Sequence, residues 1–284
     1  MFAAFALASA AFYGAADFIG GLTSRRADAT VIVVVSQGAG LVFVALALLI
    51  IGTPVPGRDD WMWGSLAGLT GGVGVALLYR ALAIGVMAVV APTTAVCAVV
   101  VPIAIAVILG ERPGTQAIAG IVLAVVAIAL VSQQESSGSG QTVAAPARTG
   151  LGLALTSGIA IGLFLFTLAR TSAEAGLWPL LAARLVSVTL FMAVAFVKRQ
   201  SFAMPRSVMA TAIAGGVLDM LANLLYLLAT RSGPLTLAVT LSSLYPASTV
   251  ILAWMILGER LKITQWLGVL CALVAIVIIV GASS

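Results

Sequence analysis

Histidine is absent from this 284-residue chain, and charge is scarce, at 8% of residues. Without an imidazole there is no His-based metal site and no Ser–His or Cys–His catalytic pair. The only two cysteines, Cys97 and Cys271, sit inside apolar runs, so neither a disulfide framework nor a Cys metal spacing is present. No G-x4-G-K-[ST] phosphate loop occurs, which removes direct nucleotide drive. The sequence accordingly predicts no metal and no cofactor. The scarcity of charge excludes a solvated surface, because a water-soluble domain typically carries about 25% charged residues.

What fills the chain is apolar. Hydrophobic residues make up 62% and the mean hydropathy is +1.21. Most of the length falls into runs approaching or exceeding the roughly 20 residues that cross a bilayer as a helix. They predict spans at about 2–22, 29–51, 61–80, 87–109, 114–132, 150–170, 177–197, 207–229, 235–257 and 264–281. A sheet barrel is excluded, since its strands would alternate apolar and polar residues. The opening MFAAFALASAAFYGAADFIGG has no charged n-region and reads as a retained span. The 29 glycines suit close helix packing in lipid. The net charge of +5 comes from residues at helix ends, which fits headgroups rather than nucleic acid. The longest polar stretch, from Gln133 to Gly150, is rich in Ser and Gly and reads as a linker outside the bilayer.

The chain repeats at an offset of 148 residues. Gly110-Glu111-Arg112 falls on Gly258-Glu259-Arg260, Ser9 on Ser157, Gly14 on Gly162 and Gly120 on Gly268. Five spans per repeat is odd, so the halves enter the membrane from opposite sides and both termini share one face. The expected fold is an all-α membrane protein of ten transmembrane helices, built as two inverted five-helix repeats. They cover residues 1–132 and 150–284, joined by a polar linker at 133–149. Such inverted repeats place a binding site near the midplane, between the halves.

The Gly-Glu-Arg after the fourth helix of each half, the Pro179-to-Arg184 opening of the seventh helix and the Tyr13-Gly14 pair in the first carry a resemblance. The chain resembles the drug/metabolite transporter superfamily in its ten-helix EamA-type branch. That resemblance implies exporters or exchangers with a central cavity, and it covers nearly the whole chain. It does not fix the substrate. One departure is that the second helix lacks the family arginine: Ser36, next to Gln37, stands where the second half has Arg184.

Ionisable groups inside spans are costly and usually face a bundle interior or a wet cavity. Asp17 shares a face with Ser9 and Tyr13, continued by Gly20 and Gly21; it reads as a carboxylate for a cation or a proton, or as an interhelical hydrogen-bonding group. Asp219, Asn223 and Tyr226 form a stripe on the eighth helix, facing either the cavity or a neighbouring helix. Arg184, with Ser187 and Phe191 on its face, offers a fork for a carboxylate or phosphate, a partner for an aspartate, or a headgroup contact. Thr93, Thr94, Thr240, Ser243 and Tyr245 supply hydroxyls, most of them expected to bond their own backbone. Pro92, Pro102 and Pro246 are expected to interrupt their helices. Glu111 and Glu259 are expected to favour the dipole of the helix that follows each, with Gly110 and Gly258 in left-handed turns. The substrate-binding candidates are thus Tyr13, Asp17, Gln37, Arg184, Asp219, Asn223, Tyr226 and Ser243, with Asp17 and Asp219 as proton carriers.

These readings favour a secondary transporter of a small metabolite in the plasma (inner) membrane, working by alternating access and coupled to protons or to exchange. The partners expected are a small-molecule substrate and the bilayer, with the protein a monomer or homodimer. A passive channel or lipid scramblase is the alternative. An intramembrane enzyme is disfavoured, because the sole Asp pair, Asp59-Asp60, lies in a loop beside Arg58. Orientation stays open: loop arginines and lysines, Arg80 counted among them, place the termini outside, whereas the family resemblance implies inside.

Overall fold

The computed structural model describes residues 2–108, 114–131, 144–232, 241–242, 244–259 and 261–282. Glu111, Thr240, Ser243 and most of the linker lie outside the described residues. The elements are α1 (Phe2–Ser24), α2 (Ala29–Ile51), α3 (Arg58–Ile84), α4 (Met87–Ile108), α5 (Thr115–Val131), α6 (Ala144–Leu168), α7 (Trp178–Val197), α8 (Arg206–Ser232), α9 (Tyr245–Leu257) and α10 (Ile263–Ala282), with a short 3-10 turn at Ala173–Ala175. No strand occurs among the described residues. Six helices are long and apolar enough to cross a membrane within their described lengths, and shorter apolar helices occur in α4, α9 and α10. The chain is a multi-pass membrane protein with the two-repeat architecture.

Local sequence explains the helix ends. Asp28 caps α2 by accepting from the Thr30 amide at 2.8 Å, and Gly52 ends it in the left-handed region. Gly258 ends α9 at φ 65° in the same way, as the sequence predicts. Asp59 and Asp60 sit in the first turn of α3 rather than in a loop, where their charge favours the dipole. Asp60 accepts from the backbone and hydroxyl of Ser172, tying α3 to the α6–α7 connection. Helix α6 starts at Ala144 and so takes in the end of the expected linker. Pro246 opens α9 instead of interrupting it, where the missing amide costs no intrahelical bond, and α4 runs on through Pro92.

The halves interleave. Helix α1 packs along α8, and α6 along α3; α2 meets α7 and α8, α4 meets α6, α9 meets α1, and α5 lies against α10. The repeat offset relates many of these contacts. Ser9 Oγ donates to the Ala222 carbonyl at 2.8 Å, and Ser157 Oγ donates to the Gly74 carbonyl at 2.8 Å. Thr94 donates to Ala154 O at 3.2 Å, and Ser242 to Ala6 O at 3.3 Å. Thr93 does bond its own helix, at Val89 O, but Thr94 reaches across the halves instead. Buried hydroxyls need partners, and small residues bring a neighbouring carbonyl within reach. A methyl placed on Gly68 would overlap Ala183, and one on Gly216 would overlap the Ser36 carbonyl.

The Gly-Glu-Arg motif of the second half departs from expectation. Glu259 does not serve the following helix. Its carboxylate accepts from the amides of Met87 at 3.1 Å and Ala88 at 3.0 Å, the first turn of α4 in the other half. Arg25, after α1, sits 3.5 Å from the same carboxylate. Amides in a helix's first turn have no partner within the helix, so this carboxylate joins three segments at one membrane face.

Candidate functional site: a cavity between the halves

A cavity of about 360 Å³ lies between the repeats, lined by α1–α4 and α6–α9. That is within the range of roughly 300–1,000 Å³ for small-molecule sites. Seven of the eight sequence-predicted site residues line it: Tyr13, Asp17, Gln37, Arg184, Asp219, Asn223 and Tyr226. The eighth, Ser243, lies outside the described residues. Its neighbours Ser242 and Tyr245 are on the wall.

Arg184 stands in the second turn of α7, which Pro179 opens. Its guanidinium forks between Gln37 Oε1 on α2 and Asp219 Oδ2 on α8, an ion pair whose side chains are 12% and 19% exposed. Gln37 Oε1 also accepts from Ser187 Oγ at 3.1 Å. Among the readings open for Arg184, the aspartate pairing is the one formed. Asn223 donates to the Asp219 carbonyl one turn below, at 2.8 Å. Phe191 packs away from the cavity in the core.

Asp17 differs from Asp219. It is half-buried on the wall, and its carboxylate takes part in no hydrogen bond or ion pair among the described residues. Tyr13, one turn before it, stands 6.2 Å from the Tyr245 ring at 60°. Ser9 leaves the stripe to bond α8. Gly20 and Gly21 admit the Tyr79 ring and the Leu82 side chain of α3, so these glycines serve helix contact.

Polarity could not reveal the rest of the wall. Val75, Leu78, Ile161, Phe164 and Leu165 line the cavity too. The repeat offset is the one signal that finds four of them, carrying the candidates Asn223, Tyr226, Tyr13 and Asp17 onto Val75, Leu78, Ile161 and Leu165; Phe164 corresponds to Ala16, which is no candidate. Among the described residues no cluster of metal-ligating side chains occurs.

Residues 1–133 and 148–281 each match the model of the EamA-like transporter family. No curated protein sequence matches the chain significantly. A solved crystal structure of a protein aligns over 95% of this chain and 96% of its own, at 17% identity and a TM-score of 0.61, which is a likeness of fold.

Proposed function

Since the chain belongs to the EamA-like transporter family and is a membrane transporter of small molecules, we propose that it is a secondary active exporter or exchanger of a small metabolite, working by alternating access between its inverted halves. The observation that carries this reading is the cavity itself, walled by both repeats and crossed by the Gln37–Arg184–Asp219 tie. Rocking of one repeat against the other would expose such a site to each face in turn. The hydroxyl-to-carbonyl bonds between halves, paired by the repeat offset, suit two arrangements of similar energy. Tyr13, Asp17, Gln37, Arg184, Asp219, Asn223, Tyr226 and Ser243 remain the substrate-contacting set in this proposal, in the plasma (inner) membrane, with the protein a monomer or homodimer and no catalytic chemistry.

Of the two aspartates, Asp17 is the better proton carrier. Asp219 is held by Arg184, while Asp17 lines the same cavity with no ion-pair partner among the described residues. In proteoliposomes carrying a pH gradient, saturable substrate accumulation is expected, and Asp17→Asn should abolish its dependence on the gradient. If Asp17→Asn and Asp219→Asn both leave gradient-driven uptake intact, coupling through these residues is wrong. Non-saturable flux indifferent to any gradient would instead support a channel or scramblase.

A further inference from the structure

The repeat offset divides the cavity into two chemically opposed halves. On the cavity wall with Asp17 are Tyr13 on α1, Asn223 and Tyr226 on α8, and Tyr245 at the start of α9. The offset carries each of these onto a less polar residue: Asp17 onto Leu165, Tyr13 onto Ile161, Asn223 onto Val75, Tyr226 onto Leu78 and Tyr245 onto Cys97. All but Cys97 line the same cavity. The exchange extends to volume. Asp219 and Ala16 in one half correspond to Gly71 and Phe164 in the other, and a methyl on Gly71 would press on the Phe164 ring. Where the polar half has a carboxylate and an alanine, the apolar half has a glycine and a ring packed together.

Charge assigns the occupant of the polar half. The ionisable residues with formal charge on the wall are Asp17, Arg184 and Asp219. Arg184 and Asp219 neutralise one another and are tied to Gln37. The remaining ionisable residue of the wall is Asp17, a carboxyl group unpaired among the described residues and negative once its proton has left. A cation there would gain the carboxylate and the neighbouring Tyr13 and Tyr245 rings, which line the cavity with centroids 6.2 Å apart and planes tilted by 60°. An anion would meet Asp17 unopposed, and the carboxylate of a zwitterion would have to compete with Asp219 and Gln37 for Arg184.

We propose that the transported class is a small organic cation with an apolar body, its cationic group against Asp17, Tyr13 and Tyr245 and its body against Ile161, Phe164 and Leu165. This rests on the transporter reading above and names the substrate class of the same cavity. The wall exists in one copy per chain, so one molecule binds in one orientation.

Binding to purified protein in detergent, measured by titration calorimetry, separates this proposal from flux. The probes are phenethyltrimethylammonium, tetramethylammonium, phenethyl alcohol, phenylalanine and 3-phenylpropionate. The first is expected to bind at least tenfold more tightly than each of the others. Asp17→Asn should weaken it at least tenfold, Asp17→Glu by no more than a few fold, and Phe164→Ala several fold without touching tetramethylammonium. Equal or tighter binding of phenylalanine or 3-phenylpropionate overturns the proposal. So does failure of the cation to bind at millimolar concentration, or unchanged affinity in Asp17→Asn that folds as the parent does. Counterflow in proteoliposomes tells the two readings apart. Saturable exchange of an anion or zwitterion sinks the cation class and keeps the transporter, whereas unsaturable leak of every probe sinks the transporter.

Discussion

Glu259→Ala removes a carboxylate that satisfies two amides at the start of α4 in the opposite half. The bonds measure 3.1 Å to Met87 and 3.0 Å to Ala88, and the Glu259 side chain is only 14% exposed. Hydrogen bonds to a charged group contribute about 1.5–3 kcal/mol each, but they share one carboxylate and one desolvation cost. Loss of a helix cap alone costs about 0.5–2 kcal/mol. An overall loss of about 2–4 kcal/mol is therefore expected for Glu259→Ala. Glu259→Gln keeps one acceptor oxygen and should lose about half as much. The ion pair with Arg25 is longer, at 3.5 Å, with Arg25 31% exposed. Such pairs are worth about 0–1 kcal/mol, so Arg25→Ala should cost clearly less than Glu259→Ala. Hydrogen exchange reads the site directly: the amides of Met87 and Ala88 should lose protection in Glu259→Ala and keep most of it in Arg25→Ala. Unchanged protection at 87–88 in Glu259→Ala, or a larger effect from Arg25→Ala, would refute the reasoning.

Three further outcomes are expected. Ser9→Ala and Ser157→Ala each remove one buried hydroxyl bond of 2.8 Å; each should cost about 1 kcal/mol, and the double variant should show the sum in thermal unfolding. Gly216→Ala forces a methyl onto the Ser36 backbone and should destabilise by about 1–3 kcal/mol, whereas Gly38→Ala meets nothing within 4 Å and should be neutral or up to about 1 kcal/mol stabilising. Arg80 is exposed and belongs to the face of Arg25, Arg26, Lys198, Arg199 and Arg206, so the excess of positive charge predicts that face, and the linker with it, is cytoplasmic; with Cys97 and Cys271 replaced, Gly140→Cys should react with an impermeant maleimide only after permeabilisation.

The residue pattern by itself determined the spans, the duplication and, through the odd number of spans per repeat, the inverted arrangement. These follow from bilayer thickness and counting, and neither depends on how the helices are rotated. It also picked out the polar stripes, because the period of 3.6 fixes which side chains of one helix share a face. Only the tertiary structure decided their partners. That Arg184 takes Asp219 and leaves Asp17 unpaired depends on the rotation of α7 against α1 and α8, which the periodicity of a single helix does not contain. Thr94 reaching Ala154, and Glu259 capping α4 rather than the helix after it, have the same cause: both partners come from the other half, and at Thr94 the approach is made by Gly158, whose missing side chain lets α4 and α6 touch. The apolar wall was legible only through the repeat offset, since a Phe or Ile facing a cavity looks in sequence like one facing lipid. Where the inverted repeats meet, equivalent positions line one space with unlike chemistry, and it is this meeting, absent from either half alone, that gives the cavity its polar and apolar ends.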